Sequence, residues 1–138
     1  MSKTNKSSTE LFYERFFRFA SVWNIGAGLL GILSLKLNLD LFYGKSDYMA
    51  DDLFKIHYYN FWAFIMMMGV GFYFVSRDVS KNYAMAIVGI LGKTLAVAIW
   101  VYYWWLGEAT FMVLVAGAGD MTLVSVFTAY LRYTIKET

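Results

Sequence analysis

The sequence contains no cysteine, no proline and a single histidine, and these absences exclude several kinds of chemistry. Without cysteine, the 138-residue chain has no disulfide, no thiolate metal site and no cysteine nucleophile. One histidine, His57, cannot supply two imidazole ligands to a haem. Charged residues are scarce at 16%, and the net charge of +2 provides no basic surface for nucleic acid. We expect no metal site, no cofactor and no nucleic-acid partner.

Apolar residues are abundant instead, and their distribution predicts a membrane protein. They make up 59% of the chain, against about 45–50% in soluble domains, and 20% of the chain is aromatic. Four segments approach the roughly 20 residues that cross a bilayer, and each must be helical because lipid offers the backbone no hydrogen-bond partner. We predict an all-α, antiparallel four-helix integral membrane bundle over residues 16–131. The predicted segments are 16–35, 56–75, 83–106 and 109–131.

The connections between these segments are unequal in length. Residues 76–82 and the pair Gly107-Glu108 are short enough to make antiparallel hairpins. Residues 36–55 are longer, and leucines alternate there with polar residues before Gly44 and Ser46, which predict a break and a helix cap. We predict an interfacial segment that ends in a short helix leading into the second membrane segment.

The placement of charge predicts the orientation. Eight lysines and arginines lie on the side that carries both tails and the 76–82 loop, against three on the other side. The positive-inside rule therefore assigns that side to the cytoplasm, with tails at 1–15 and 132–138. The opposite side carries tyrosines and tryptophans that favour the boundary between water and lipid.

Two charged residues lie near the middle of the third and fourth segments. Lys93 precedes Gly107 by 14 residues and Asp120 follows it by 13, so at about 1.5 Å per residue they reach nearly the same depth. A buried charge persists there only for a reason, and we predict a direct Lys93–Asp120 ion pair that latches the two helices. A proton relay, a substrate counter-ion site and a charge gate are the functional alternatives.

Small residues accompany these charges and predict close helix packing, because lipid supplies no hydrophobic drive for helix association. They flank both members of the pair and also form a stripe on the first segment that includes Asn24. We predict that Asn24 faces a neighbouring helix with Lys93 or Asp120 as its polar partner, while Trp23 faces either that seam or lipid. The small residues are Ala20, Ala27, Gly28, Gly31, Gly89, Gly92, Ala96, Ala116, Gly117 and Gly119.

Four further polar residues lie near the ends of the second segment. His57 and Asn60 share a helix face close to the outer boundary. We interpret Asn60 as a packing or interfacial hydrogen-bonding residue, and His57 as an interfacial aromatic residue rather than a haem ligand or proton acceptor. Arg77 and Asp78 end the segment on the cytoplasmic side. We interpret them as a helix cap or a solvated salt bridge, with binding of lipid headgroups or of a partner as the alternative.

Several short motifs give the chain a resemblance to a known group. They are Trp23-Asn24 followed by Gly26 to Gly28, Gly69 and Gly71 leading to Arg77-Asp78, Gly89 and Gly92-Lys93, Asp120, and Tyr130-Leu131-Arg132. With them the chain resembles small, uncharacterised four-helix proteins of the bacterial inner membrane, loosely DoxX-like. The resemblance implies a partnered role, because DoxX-like proteins include membrane subunits that accompany redox enzymes. It implies no catalytic residue.

Three functions follow from the sequence. The favoured one is a non-enzymatic accessory subunit or self-associating module, present as a homo-oligomer or within a larger membrane complex. The second is an oligomeric small transporter or channel that uses Lys93, Asp120 and Asn24. The third is a lipid- or quinone-handling redox subunit that holds an apolar ligand among the aromatic residues near the outer face.

Overall fold

The computed structural model describes residues 6–45 and 51–137, which form helices and no strands. Four of the helices are long and apolar enough to cross a membrane. The prediction of an all-α, integral membrane four-helix bundle is therefore confirmed. In chain order the helices are α1 (Ser8–Leu33), α2 (Leu35–Tyr43), α3 (Asp52–Arg77), α4 (Tyr83–Trp105) and α5 (Met112–Glu137).

The long helices extend beyond the apolar segments that the sequence delimits. Helix α1 begins at Ser8 rather than at residue 16, because Ser7 and Glu10 form a capping box. The backbone N–H of Glu10 donates to Ser7 Oγ at 3.1 Å, and that of Ser7 donates to Glu10 Oε2 at 2.8 Å. Part of the predicted N-terminal tail is thus helical, since hydropathy does not register the polar first turns of a helix.

The segment between the first two membrane helices is itself partly helical. Helix α2 precedes Gly44, which ends it in a left-handed conformation with φ 63°. The expected short helix after Gly44 is instead the start of α3, which Asp51 caps by accepting a 3.1 Å hydrogen bond from the N–H of Phe54. The predicted cap at Ser46 lies outside the described residues.

Helices α1 and α3 form one tightly packed pair. A Cβ atom added at Gly31 would lie 2.0 Å from the Trp62 ring. One added at Gly69 would lie 2.9 Å from both the carbonyl oxygen of Ser21 and the backbone nitrogen of Ile25. Glycine is therefore required where these two backbones meet, as in close-packed membrane helices generally.

Helices α4 and α5 form the second pair, and the predicted glycine packing is found there only in part: a Cβ added at Gly89 of α4 would lie 3.0 Å from the Phe127 ring of α5. An added Cβ at Gly92 or Gly119 would meet nothing within 4 Å, and one at Gly117 would reach Val97 only at 3.4 Å. The prediction that Gly92 and Gly119 pack against a neighbouring helix is wrong. Both glycines are exposed and border open space.

An aromatic core joins the two pairs at one end of the bundle. The rings of Phe17 and Phe127 stack with centroids 5.2 Å apart, and Phe72 lies 4.8 Å from Phe127. Tyr130 donates its hydroxyl hydrogen bond to the carbonyl oxygen of Val79 in the α3–α4 loop. All four aromatic side chains are fully buried, so this end of the bundle is closed.

At the other end α2 bridges the two pairs. The N–H of Thr110, which precedes α5, donates to the Phe42 carbonyl oxygen at 2.8 Å. The hydroxyl of Tyr58 on α3 donates to the carbonyl oxygen of Gly31 at 2.8 Å and accepts from Asn38 Nδ2 of α2 at 2.9 Å. These bonds hold α2 over the space between the pairs.

Candidate functional site

A cavity of about 640 Å³ lies between the α1–α3 pair and the α4–α5 pair, beneath α2. Its volume falls within the range of about 300–1,000 Å³ that is usual for small-molecule sites. The lining is mainly apolar with a few polar groups, which is also usual for such sites. The aromatic residues of the lining are Phe19, Trp23, Phe42, Tyr43, Tyr58, Phe61, Trp62 and Trp100.

The Lys93–Asp120 ion pair forms part of the cavity wall. Lys93 Nζ lies 2.5 Å from Asp120 Oδ1, and the two side chains are only 10% and 17% exposed. The predicted pairing of these residues is therefore confirmed. It arises because the short α4–α5 turn places both residues at nearly the same distance from Gly107 on adjacent helices.

The pair leaves hydrogen-bonding capacity free. A lysine ammonium has three N–H donors and a carboxylate has two acceptor oxygens, whereas the ion pair uses one of each. Among the residues that the structure describes, no second hydrogen bond reaches Lys93 or Asp120. The remaining donors and acceptors require water or a ligand, since unpaired polar groups are costly in an apolar surrounding.

Asn24 lies at the same level but does not join the pair. Its side chain is buried and lines the cavity together with Lys93 and Asp120. Asn24 Nδ2 donates instead to the Ala20 carbonyl oxygen of its own helix at 2.8 Å. The prediction of a hydrogen bond to Lys93 or Asp120 is wrong, because the gap between the helix pairs separates α1 from α4 and α5.

The cavity continues sideways between α3 and α4. A cleft of about 80 Å³ there shares Lys93 and Asp120 with the cavity and is bordered by Phe61, Phe64 and Gly92. These three bordering residues are exposed on the outer surface of the bundle. The pair thus borders a cleft whose edge residues on α3 and α4 are exposed on the side of the bundle.

A second opening is indicated between α1 and α5. Phe19 and Trp23 of α1 and Gly119 and Thr122 of α5 line the cavity and are also exposed on the surface of the bundle. Trp23 is 58% exposed and stacks on Phe19 with ring centroids 6.1 Å apart. The sequence did not decide whether Trp23 faces the helix seam or lipid. In the structure Trp23 lies at the rim of the cavity, where its side chain both lines the cavity and is exposed on the surface of the bundle.

The other candidate residues lie away from the cavity. His57 and Asn60 are exposed on α3 and do not line it, and Arg77 is exposed at the end of that helix. Asp78 Oδ1 accepts from Ser80 Oγ at 2.7 Å, and Asp78 Oδ2 lies 3.0 Å from Lys81 Nζ. The hydrogen bond from Ser80 and, to a smaller extent, the hydrogen bond from Lys81 hold the pKa of the Asp78 carboxyl below its ordinary value. This geometry agrees with the interpretation as a cap and loop salt bridge.

Sequence reasoning did not single out Trp62 and Trp100 as residues of a site. Both line the cavity, and Trp62 Nε1 is buried without a hydrogen-bond partner of ordinary geometry among the described residues. The sequence placed Trp62 in an aromatic belt at the membrane boundary. The available signal was its spacing of four residues from Tyr58, which puts both on one face of the helix.

No protein-family model, curated protein or solved structure matches the chain. The fold and the cavity therefore define its class: an all-α integral membrane bundle with a laterally open, aromatic-lined cavity. The resemblance to DoxX-like proteins stays a prediction.

Proposed function

We propose that the protein is a non-enzymatic membrane protein that takes a ligand from the bilayer and holds it in the central cavity. The observation that carries this proposal is the cavity of about 640 Å³, lined mainly by apolar side chains with the Lys93–Asp120 ion pair in its wall. Of the three functions drawn from the sequence, lipid or quinone handling is the one that an apolar, aromatic-lined cavity suits best.

Transport of a solute or ion along the axis of one bundle is less well supported than ligand binding in the cavity. The fully buried rings of Phe17, Phe72, Phe127 and Tyr130 fill the bundle between the cavity and the end that carries the 76–82 loop. A transport pathway along the axis would require these rings to separate, and their close packing opposes that. The lateral openings offer an exchange route that leaves the aromatic core intact.

The accessory or self-associating role belongs to the same proposal. A bundle that holds a ligand within the membrane acts by presenting it to another protein or to a second copy of itself. Helix α4 offers a surface for this contact, since Leu91, Leu95 and Ile99 are all more than half exposed on it. These residues equally suit lipid contact, so the role stays a prediction.

Filling the cavity tests the proposed binding. Gly119 lines the cavity and has no atom within 4 Å of an added Cβ, so Gly119→Leu introduces a side chain into free space. We expect this change to weaken binding of oleyl alcohol and of octadecene at least about tenfold, or about 1.4 kcal/mol. Quenching or enhancement of tryptophan fluorescence measures the binding, because Trp23, Trp62 and Trp100 line the cavity.

Gly26→Leu is the matched control for this experiment. Gly26 is also helical with no atom within 4 Å of an added Cβ, but it lies outside the cavity lining. We expect Gly26→Leu to bind both probes as the wild type does. Measurable binding that is equal in wild type and Gly119→Leu contradicts the proposed function.

The absence of cysteine allows a direct test of the proposed orientation, with both termini in the cytoplasm of a bacterial inner membrane. Ser80→Cys and Glu108→Cys place single thiols at exposed positions in the two loops that follow α3 and α4. In intact cells we expect an impermeant maleimide to label Cys at position 108 but not at position 80. The reverse pattern would invert the proposed topology, and the wild type controls for background labelling.

A further inference from the structure

We infer that the cavity takes an uncharged amphipath whose hydroxyl or carbonyl head contacts the Lys93–Asp120 pair. The inference rests on the proposed binding function and assigns a chemical class to the ligand. It is carried by the charge of the cavity lining, the unused hydrogen bonds of the ion pair, and the apolar borders of the lateral openings.

The charge of the lining favours an uncharged ligand. Lys93 and Asp120 are the charged residues among those that line the cavity in the described part of the chain, and they neutralise each other at 2.5 Å. A charged head group would add a charge without a counter-ion in a site of low dielectric constant. Such a charge carries a desolvation penalty that the balanced pair does not compensate.

The unused hydrogen bonds favour a ligand with a polar head over a plain hydrocarbon. Lys93 retains N–H donors and Asp120 retains acceptor lone pairs beyond their mutual contact. A hydroxyl group accepts from Lys93 and donates to Asp120 at the same time, whereas a carbonyl group accepts from Lys93. Asn24, whose Nδ2 is used by Ala20, adds its carbonyl oxygen as an acceptor at the same level.

The openings also select against charge. Phe61 and Phe64 border the opening between α3 and α4, while Phe19 and Trp23 border the opening between α1 and α5. Both openings face sideways from apolar, membrane-spanning helices. A head group that enters through them crosses the acyl-chain region, where an ion is far more strongly disfavoured than a hydroxyl or carbonyl group.

The cavity volume sets the size of the part that is enclosed. At about 30 Å³ for each water-sized unit, 640 Å³ accommodates on the order of 20 non-hydrogen atoms. This matches a head group with one extended lipid chain or a compact ring system. A longer chain continues into the bilayer through one of the lateral openings.

Four probes that share one unbranched chain test the inference: oleyl alcohol, oleyl sulfate, oleyltrimethylammonium and octadecene. Their affinities for the full-length protein are measured in uncharged detergent micelles by tryptophan fluorescence. We expect oleyl alcohol to bind at least about tenfold more tightly than either ionic probe and several-fold more tightly than octadecene. Equal or tighter binding of an ionic probe overturns the inference but leaves the proposed function standing.

The double variant Lys93→Met/Asp120→Leu separates the head-group contact from the rest of the cavity. It keeps the site uncharged and apolar while removing the donors and acceptors of the pair. We expect it to bind oleyl alcohol and octadecene equally, whereas Gly26→Leu retains the preference for the alcohol. A preference that persists unchanged in the double variant overturns the assignment of the head group to the pair. Failure of all four probes to bind the wild type defeats the proposed function itself.

Discussion

Lys93→Met alone is expected to lower the free energy of unfolding by about 3–5 kcal/mol, and Asp120→Leu alone by a similar amount. Each substitution leaves the other charge buried without its partner, because the two side chains are only 10% and 17% exposed. Unfolding in mixed micelles of increasing denaturing-detergent content, followed by far-ultraviolet circular dichroism, measures the loss. The control is Leu95→Met, an exposed position on the same helix, which should change stability by well under 1.5 kcal/mol.

The double variant Lys93→Met/Asp120→Leu should regain most of that loss and lie within about 1 kcal/mol of the wild type. Replacing a buried ion pair by apolar residues of similar volume is often neutral or stabilising. A loss in the double variant equal to the sum of the two single losses would show that the charges act independently. A stable double variant that also kept full activity would exclude the proton relay that the sequence left open.

Gly69→Val is expected to lower the free energy of unfolding of the bundle by about 3 kcal/mol. The added side chain would meet backbone atoms, since a Cβ at this position lies 2.9 Å from the Ser21 oxygen and the Ile25 nitrogen. A flexible side chain is able to change its rotamer and relieve such a clash, but backbone atoms are not. The helices α1 and α3 must therefore move apart and lose packing contacts. Thermal unfolding in detergent, followed by circular dichroism, measures the effect.

Gly26→Val is the matched control for that substitution. It introduces the same side chain into a membrane-spanning helix, at a position where an added Cβ has no atom within 4 Å. We expect its stability to stay within about 1 kcal/mol of the wild type. Equal losses in the two variants would mean that valine in the helix, rather than contact between α1 and α3, causes the effect.

The four membrane-spanning helices were predictable from the sequence, because they are recognised by the length and hydropathy of their apolar segments alone. The Lys93–Asp120 pair was predictable for a different reason: the turn at Gly107 is so short that counting residues gives the relative depth of each side chain. Counting residues does not give the depth of Asn24 relative to Lys93 and Asp120, because the long connection through α2 leaves the register of α1 against α4 and α5 undetermined. Its bond to Ala20 therefore needed the structure.

The cavity was not predictable, although its parts were visible. Small residues indicate where helices are able to approach, but not which helix approaches or whether any does. Gly31 and Gly69 lie at the contact between α1 and α3, whereas Gly92 and Gly119 border empty space. Helix α2 was obscured by its alternating leucines, which suggest a non-helical period although Leu39 is buried within a helix that Gly44 ends.

The aromatic core carries a consequence for biosynthesis. Phe17 comes from α1, Phe72 from α3 and Phe127 from α5, so the core is complete only after α5 has entered the membrane. The α1–α3 pair contains its own glycine contacts and is able to assemble earlier, with Phe17 and Phe72 still facing lipid. Docking of the α4–α5 hairpin then buries these rings and encloses the cavity in the same step. The cavity is accordingly complete only once α5 has docked.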